Sequence, residues 1–435
     1  MCVELMVLSL FCGGLLACIV FELSILIALG AGLVMFLLYG TWKGFSWKEL
    51  AGMALSGIIK VRNILIAFVL IGMLTALWRD AGTISVIVCY AARLIRPSVF
   101  LLMTFLLNSM VSVLTGTAFG TAATMGVICA TMAAAMGIDP AMVGGAVLGG
   151  AYFGDRCSPV STSALLVAEL TETSIFDNIK SMVRSAAVPF LLTCGVYGVV
   201  GLIFSGAGEV PDLQAVFERE LVLSWVALLP AVVILTLTLL KVNVKWAMAA
   251  SIVTALPISL LVQGTAVSEL PRLLFLGYQA VDPQAAAMLN GGGIASMVRV
   301  GFIIIISSSY SGIFQKTGLL DGAKRVVHQL AVRTTGYTAT LLTSVVASVI
   351  ACNQTLSIML THQLCRELQP EKSRMALTLE DTAVVVAPLV PWSIAGAVPL
   401  TTIGSPTTAL LWTCFLYLLP LWQLAVHTAK KRIGK

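Results

Sequence analysis

Two stretches of this 435-residue chain put ionisable side chains where nearly everything around them is apolar. In the first, Gly149-Gly150-Ala151-Tyr152-Phe153-Gly154-Asp155-Arg156-Cys157-Ser158-Pro159, a carboxylate and a guanidinium stand between glycines and a proline. Pro159 removes a backbone donor and breaks a helix, and Gly154 permits sharp backbone excursions. Two half-helices meeting at a short unwound segment are expected there. Such a segment frees carbonyls, which bind cations, and N–H groups at a helix start, which bind anions. Placing Asp or Arg at the centre of a membrane helix costs at least about 2.5–3.5 kcal/mol each, so the pair needs a partner or a task. The bland alternative is a surface loop in which Asp155 and Arg156 only make a turn.

The second stretch reads Leu379-Glu380-Asp381-Thr382, then Ala387-Pro388-Leu389-Val390-Pro391-Trp392-Ser393. Two adjacent carboxylates precede an apolar segment broken by Pro388 and Pro391. The competing reading is an acidic cluster capping a helix N-terminus after the hydrophilic loop 367–374, where acids are favoured. Softer candidates line up nearby. Thr115, Thr117, Thr121 and Thr124 alternate with Gly116, Gly120 and Gly126, and Asn353, Gln354, Thr355 and Ser357 precede His362. Ser158, Ser161, Thr162 and Ser163 surround the first break, and Ser393 follows the second. Single hydroxyls in membrane helices are commonly packing contacts. Together they form a set of hard oxygen donors suited to Na+ rather than a soft metal.

The elements that must position these groups follow from composition. The chain is 59% hydrophobic and 11% charged, with a mean hydropathy of +1.00, whereas soluble domains carry about 25% charged residues. Lipid is the solvent that fits, and only helices or closed barrels span it. The apolar runs are long, about 18–22 residues, matching a hydrocarbon core of about 30 Å for helices. Spans are read near 5–20, 22–40, 63–78, 84–96, 98–115 and 118–137, with an amphipathic stretch at 46–60. A broken element at 140–153 and 159–170 is followed by 185–205, 221–240 and 246–263. Beyond Gly291-Gly292-Gly293 come 296–314, 318–332, 337–353, 355–368, 375–390, 393–404 and 406–427. The ten cysteines show no CxxC pairs and read as buried thiols, and His328, His362 and His427 form no ligand pattern. The first apolar run lacks a basic leader and reads as a span rather than a signal peptide.

Loop charge sets orientation. Lys43, Lys48, Lys60 and Arg62 place the joint before 63–78 in the cytoplasm, as do Lys180 and Arg184, Lys241 and Lys245, and the tail with Lys430, Lys431, Arg432 and Lys435. The accounting closes if 63–78 runs outward and 296–314 runs inward toward Lys316, Lys324 and Arg325. A duplication agrees with this. Leu77-Trp78-Arg79-Asp80-Ala81-Gly82 lies 236 positions before Ile313-Phe314-Gln315-Lys316-Thr317-Gly318, and Ser112–Thr117 lies 236 before Ser348–Asn353. Ser158-Pro159-Val160 pairs with Ala387-Pro388-Leu389 after a shift of about seven residues. The expected fold is therefore all-α and polytopic, with two inverted-topology repeats whose proline- and glycine-broken half-helices meet near the membrane midplane. Residues 1–62 form N-terminal spans and an amphipathic linker, and 63–205 form repeat one. Residues 206–295 hold an acidic loop (Glu209, Asp212, Glu218, Arg219, Glu220), connecting spans and a joint; 296–427 form repeat two, and 428–435 a basic cytoplasmic tail.

These motifs resemble those of the NhaC family of Na+/H+ antiporters. The resemblance rests on Gly150–Ser161, on Thr378-Leu379-Glu380-Asp381 with Pro388-Leu389-Val390-Pro391-Trp392, and on Asn353–Ile358, and it covers about residues 60–425. It implies exchange of Na+ for H+ across a bacterial-type inner membrane, with Asp155 as the principal ion-binding carboxylate and Glu380 and Asp381 as the repeat-two acids. Malate/lactate exchangers belong to the same family. Thr162 stands where many members have Asp, Leu165 where they have Asn, Asn353 for Asp and Ser393 for Asn, so the solute stays open.

Two mechanisms compete. In the first, Na+ and H+ compete for a desolvated carboxylate, and only an occupied site crosses. In the second, Arg156 or a half-helix N-terminus holds the carboxylate of an organic anion or amino acid. No HExxH or GxSxG motif suggests an enzyme, no continuous polar stripe suggests a channel, and no cofactor is implied. The expected partners are Na+ and H+ (or a small organic anion), the lipid bilayer and a second copy of the chain, with no nucleic acid.

Overall fold

A computed structural model describes residues 2–433 apart from 22, 93–95, 160, 205–212, 241, 318–326, 328, 330, 333 and 370. Most of the span expected at 318–332, with Lys324, Arg325 and His328, lies outside the described residues. So do Val160, Glu209, Asp212, Lys241, Gly318 and Lys435.

The chain is a polytopic helical membrane protein. Among the described residues, four helices are long and apolar enough to cross a membrane by length and composition, or six if each of two bent pairs is one span. The N-terminal helices are α1 (Cys2–Val20), α2 (Ile25–Trp42), α3 (Trp47–Lys60) and α4 (Arg62–Asp80). The stretch read as amphipathic is α3, opened by Ser46, whose hydroxyl accepts from the Glu49 N–H while Glu49 returns to the Ser46 N–H. Next come α5 (Thr83–Ala92), α6 (Pro97–Thr115) and α7 (Ala118–Ala135), the last widened by a π-turn at Ala122–Gly126. The first broken span is α8 (Pro140–Cys157) and α9 (Thr162–Thr171), followed by α10 (Ile175–Phe204). Helix α10 begins ten residues before the span expected from hydropathy, because its first three turns carry Asp177, Lys180 and Arg184 beyond the apolar stretch. Connecting helices α11 (Leu229–Leu239) and α12 (Val244–Leu261) lead to α13 (Ile294–Thr317). Then follow α14 (Gly336–Ala351), α15 (Gln354–Cys365), α16 (Lys372–Asp381), α17 (Ile394–Thr402) and α18 (Cys414–Ile433).

Outward-facing positions of α10 are Leu191, Val199, Leu202 and Ile203, a surface that suits lipid rather than water. The inward faces pack through small residues. A Cβ on Gly150 would come within 2.5 Å of the Phe105 carbonyl, and one on Gly154 within 2.3 Å of the Ser112 Cβ. Gly154 therefore lets α8 lie against α6. It sits inside a regular helix, so its expected role as a helix breaker is corrected. Behind this contact Phe105, Phe153, Phe190 and Phe415 join α6, α8, α10 and α18 through ring centroids 4.5–6.2 Å apart.

The breaks repeat in detail. Helix α6 ends at Gly116 (φ 63°) and α14 at Cys352 (φ 56°), both left-handed. The next residues, Thr117 and Asn353, are extended and cap α7 and α15 by accepting from the N–H three residues on. These pairs keep the 236-residue separation. At the second break Ser161 caps α9 and Ser393 caps α17, both accepting from the N–H two residues on, at a separation of 232. Proline pairing follows the caps. Pro159 corresponds to Pro391, not to Pro388, which lies in a tight turn at Ala387–Leu389.

Candidate functional site

The broken spans α8–α9 and α16–α17 run antiparallel. At one end the Ser405 hydroxyl donates to the carbonyl of Pro140, the first residue of α8, at 3.0 Å. At the other, Lys372 at the start of α16 pairs with Glu172 just past α9 at 2.5 Å. Between them the Tyr152 hydroxyl donates to the Ala395 carbonyl at 2.7 Å. The unwound joints therefore meet in the interior. Each is tied to the preceding helix pair: Ser158 Oγ donates to the Val113 carbonyl at 2.7 Å, and Trp392 Nε1 to the Val349 carbonyl at 2.9 Å.

Asp155 and Arg156 lie in the last turn of α8 and not in the unwound segment. Both are buried. The Asp155 carboxylate is held at the start of α9, accepting at Oδ1 from Ser161 Oγ (3.0 Å) and at Oδ2 from Ser163 Oγ (2.9 Å). Those hydroxyls are 2.9 Å apart. A carboxylate at a helix C-terminus is disfavoured by the helix dipole. Here the N-terminus of α9, facing the same point, opposes that penalty.

Glu380 and Asp381 end α16 and are buried, so they do not form an N-terminal capping cluster as the competing reading had it. Their surroundings differ sharply. Asp381 Oδ1 accepts from Arg156 Nη2 and from Ser185 Oγ, the latter at 3.0 Å. Arg156 is fully engaged: Nε donates to the Glu380 carbonyl (3.2 Å), Nη1 to the Met182 carbonyl (2.9 Å), and Nη2 also to Ser185 (2.7 Å). Its guanidinium has nothing left for a substrate carboxylate, which removes the basis for Arg156 as an anion site. Among the described residues the Glu380 carboxylate has no hydrogen-bond partner at either oxygen, although it is completely buried. The charged groups acting on it are Arg156, Asp155 and Asp381.

Other expected ligands are occupied by backbone. Thr117, Asn353 and Ser393 cap helices, and Ser158 holds Val113. Thr162 is exposed and, with Thr117, lines a cavity of about 410 Å³ that also contains Lys245. A second cavity, of about 490 Å³, lies toward the opposite end of α4, lined by Arg79, Thr402 and Pro140. Sequence reasoning missed Ser185, Met182 and Tyr152, and ranked Ser163 below Thr162. Ser163 had a local signal, since the second residue after the cap Ser161 returns toward the break. Ser185 had none.

Comparison with known proteins agrees with this geometry. The model of the Na+/H+ antiporter family matches residues 3–169 and 150–426. The chain is 27% identical over 410 residues to the Na(+)/H(+) antiporter NhaC of Alkalihalophilus pseudofirmus, covering 91% of this chain and 88% of the relative. It is 27% identical over 385 residues to the arginine/ornithine antiporter ArcD of Halobacterium salinarum (85% and 79%). It is 26% identical over 407 residues to the malate-2H(+)/Na(+)-lactate antiporter of Bacillus subtilis (90% and 86%). Since the match runs through both carboxylate-bearing joints and nearly end to end, the chain belongs to the Na+/H+ antiporter family.

Proposed function

We propose that this protein is a secondary antiporter that exchanges Na+ for H+ at Asp155 and Glu380. The observation that carries the reading is the Glu380 carboxylate, buried and without a donor, next to an Asp155 whose oxygens are already ordered by two serines. An isolated carboxylate out of water is costly as a bare anion, so it takes either a proton or a cation. The carboxylates of Glu380 and Asp155 and the hydroxyls of Ser161 and Ser163 are hard oxygen donors of the kind that bind Na+. A proton on Glu380 removes one of the charges that hold Na+, so the two ions displace each other. The site emptied of both leaves two carboxylates repelling in a low-dielectric interior. That state resists crossing, and coupling follows.

Arg156 and Asp381 take a structural role in this scheme. Their pair neutralises one repeat-two acid and pins the end of α16 to α8 and α10, leaving Glu380 as the exchangeable group. The antiparallel broken spans, the shared left-handed stops at Gly116 and Cys352 and the matched serine caps support two copies of one unit with inverted topology. The two cavities, toward opposite ends of α4, suit alternating access. Loop charge puts the Lys245 side in the cytoplasm together with the basic C-terminal tail, in a cell membrane. The test uses proteoliposomes carrying an internal pH dye. An imposed Na+ gradient should move protons in wild type and not in Asp155→Asn, and wild-type exchange in that variant would overturn the assignment.

A further inference from the structure

We infer that the cavity around Arg79 is a second binding site, for a small organic carboxylate, separate from the cation site. Arg79 closes α4 and is 6% exposed. Its Nη1 donates to the carbonyls of Leu289 (3.0 Å) and Asn290 (3.4 Å), while among the described residues neither Nε nor Nη2 has an acceptor. Among the described residues no carboxylate lies within ion-pair distance. The neighbouring Asp80 turns to Thr265, 3.0 Å away. A buried guanidinium without a counter-charge is costly, and this one lines a cavity of about 490 Å³ in which, among the described residues, it is the only charged one.

That volume is in the range of small-molecule sites. A guanidinium favours a carboxylate over a spherical anion, and Nη2 is the nitrogen left to meet one, since Nε is buried and Nη1 is held by Leu289 and Asn290. Thr131, Asn290, Ser296, Thr402 and Ser405 supply further polar atoms around the same space, suited to the hydroxyl or second carboxyl of a hydroxy acid or diacid. Val143 of α8 lines the cavity twelve residues before Asp155, about 18 Å along the helix at about 1.5 Å per residue. The site touches α8, which carries Asp155, and the C-terminal end of α17, the second half of the broken span that begins with α16 and Glu380, so a ligand held there would bias their arrangement. On the loop-charge orientation it belongs to the external side.

The test is thermal unfolding of the purified full-length protein with increasing L-malate, succinate or L-lactate, against chloride and sulfate at matched ionic strength. A saturable rise in Tm with the carboxylates is expected in wild type and in Asp155→Asn. Arg79→Gln should weaken it about thirtyfold or more, as expected when one partner of a buried charge pair is removed. Arg79 also holds the 289–290 backbone, so a second variant keeps the arginine: Ala134→Phe fills the cavity from α7 and should abolish the response. No response in wild type, a response that survives both variants, or an equal response to chloride would each overturn the proposal.

Discussion

The two joints share a backbone plan and differ in how they treat charge. At the α8–α9 joint the carboxylate of Asp155 is met by two serine hydroxyls and the start of a helix. At the α16–α17 joint one acid, Asp381, is locked to Arg156 and Ser185, and the other, Glu380, has nothing. The same device, a helix stopped in the interior and restarted by a serine cap, thus yields a hydrogen-bonded carboxylate in one copy and a buried, unpartnered one in the other. On the proposed reading, duplication supplies the scaffold and the asymmetry between its copies supplies the function.

The largest effect should separate Glu380 from its neighbour. Glu380→Gln removes a bare buried charge, so it should fold with a Tm at or above wild type while losing Na+-driven proton movement. Asp381→Asn should do the opposite in stability: leaving Arg156 buried without its partner costs about 3–5 kcal/mol, read as a large drop in Tm. The paired replacement Arg156→Met with Asp381→Leu should recover most of that loss, and failure to recover would give Asp381 a role in exchange. A smaller effect is expected at the prepared carboxylate. Ser161→Ala with Ser163→Ala removes two hydrogen bonds of about 1 kcal/mol each, lowering apparent Na+ affinity about tenfold or more with exchange retained.

The smallest effect belongs to the pair at the membrane edge. Lys372 holds the Glu172 carboxyl below the ordinary carboxylate range, so the pair is intact at neutral pH. Its contribution is present above the unfolded value and is lost as pH falls through the lowered one. Both groups are largely exposed, and Glu172→Gln should leave exchange rates unchanged. A marked loss would make this contact part of the moving machinery.

Much of this was legible in sequence because it is local. Asp155 stood out as a charge between glycines and a proline, and the 236-residue separation paired the segments Ser112–Thr117 and Ser348–Asn353, within which the structure places the left-handed stops at Gly116 and Cys352. What failed needed either register or packing. Pro388 drew the eye, but the serine caps place Pro391 opposite Pro159. Gly154 looked like a breaker because glycine permits sharp turns, yet its use is the close approach of α6. The Arg156–Asp381 pair joins residues 225 positions apart, and no spacing rule reaches that far. Arg79 was visible only as a landmark of the duplication, since its missing counter-charge is a fact of three dimensions.

The most direct test is Na+-driven proton flux in proteoliposomes of Glu380→Gln, measured on the same preparation whose folding has been verified by its Tm. A folded protein with no coupled proton movement is expected. Wild-type flux from that variant would contradict it.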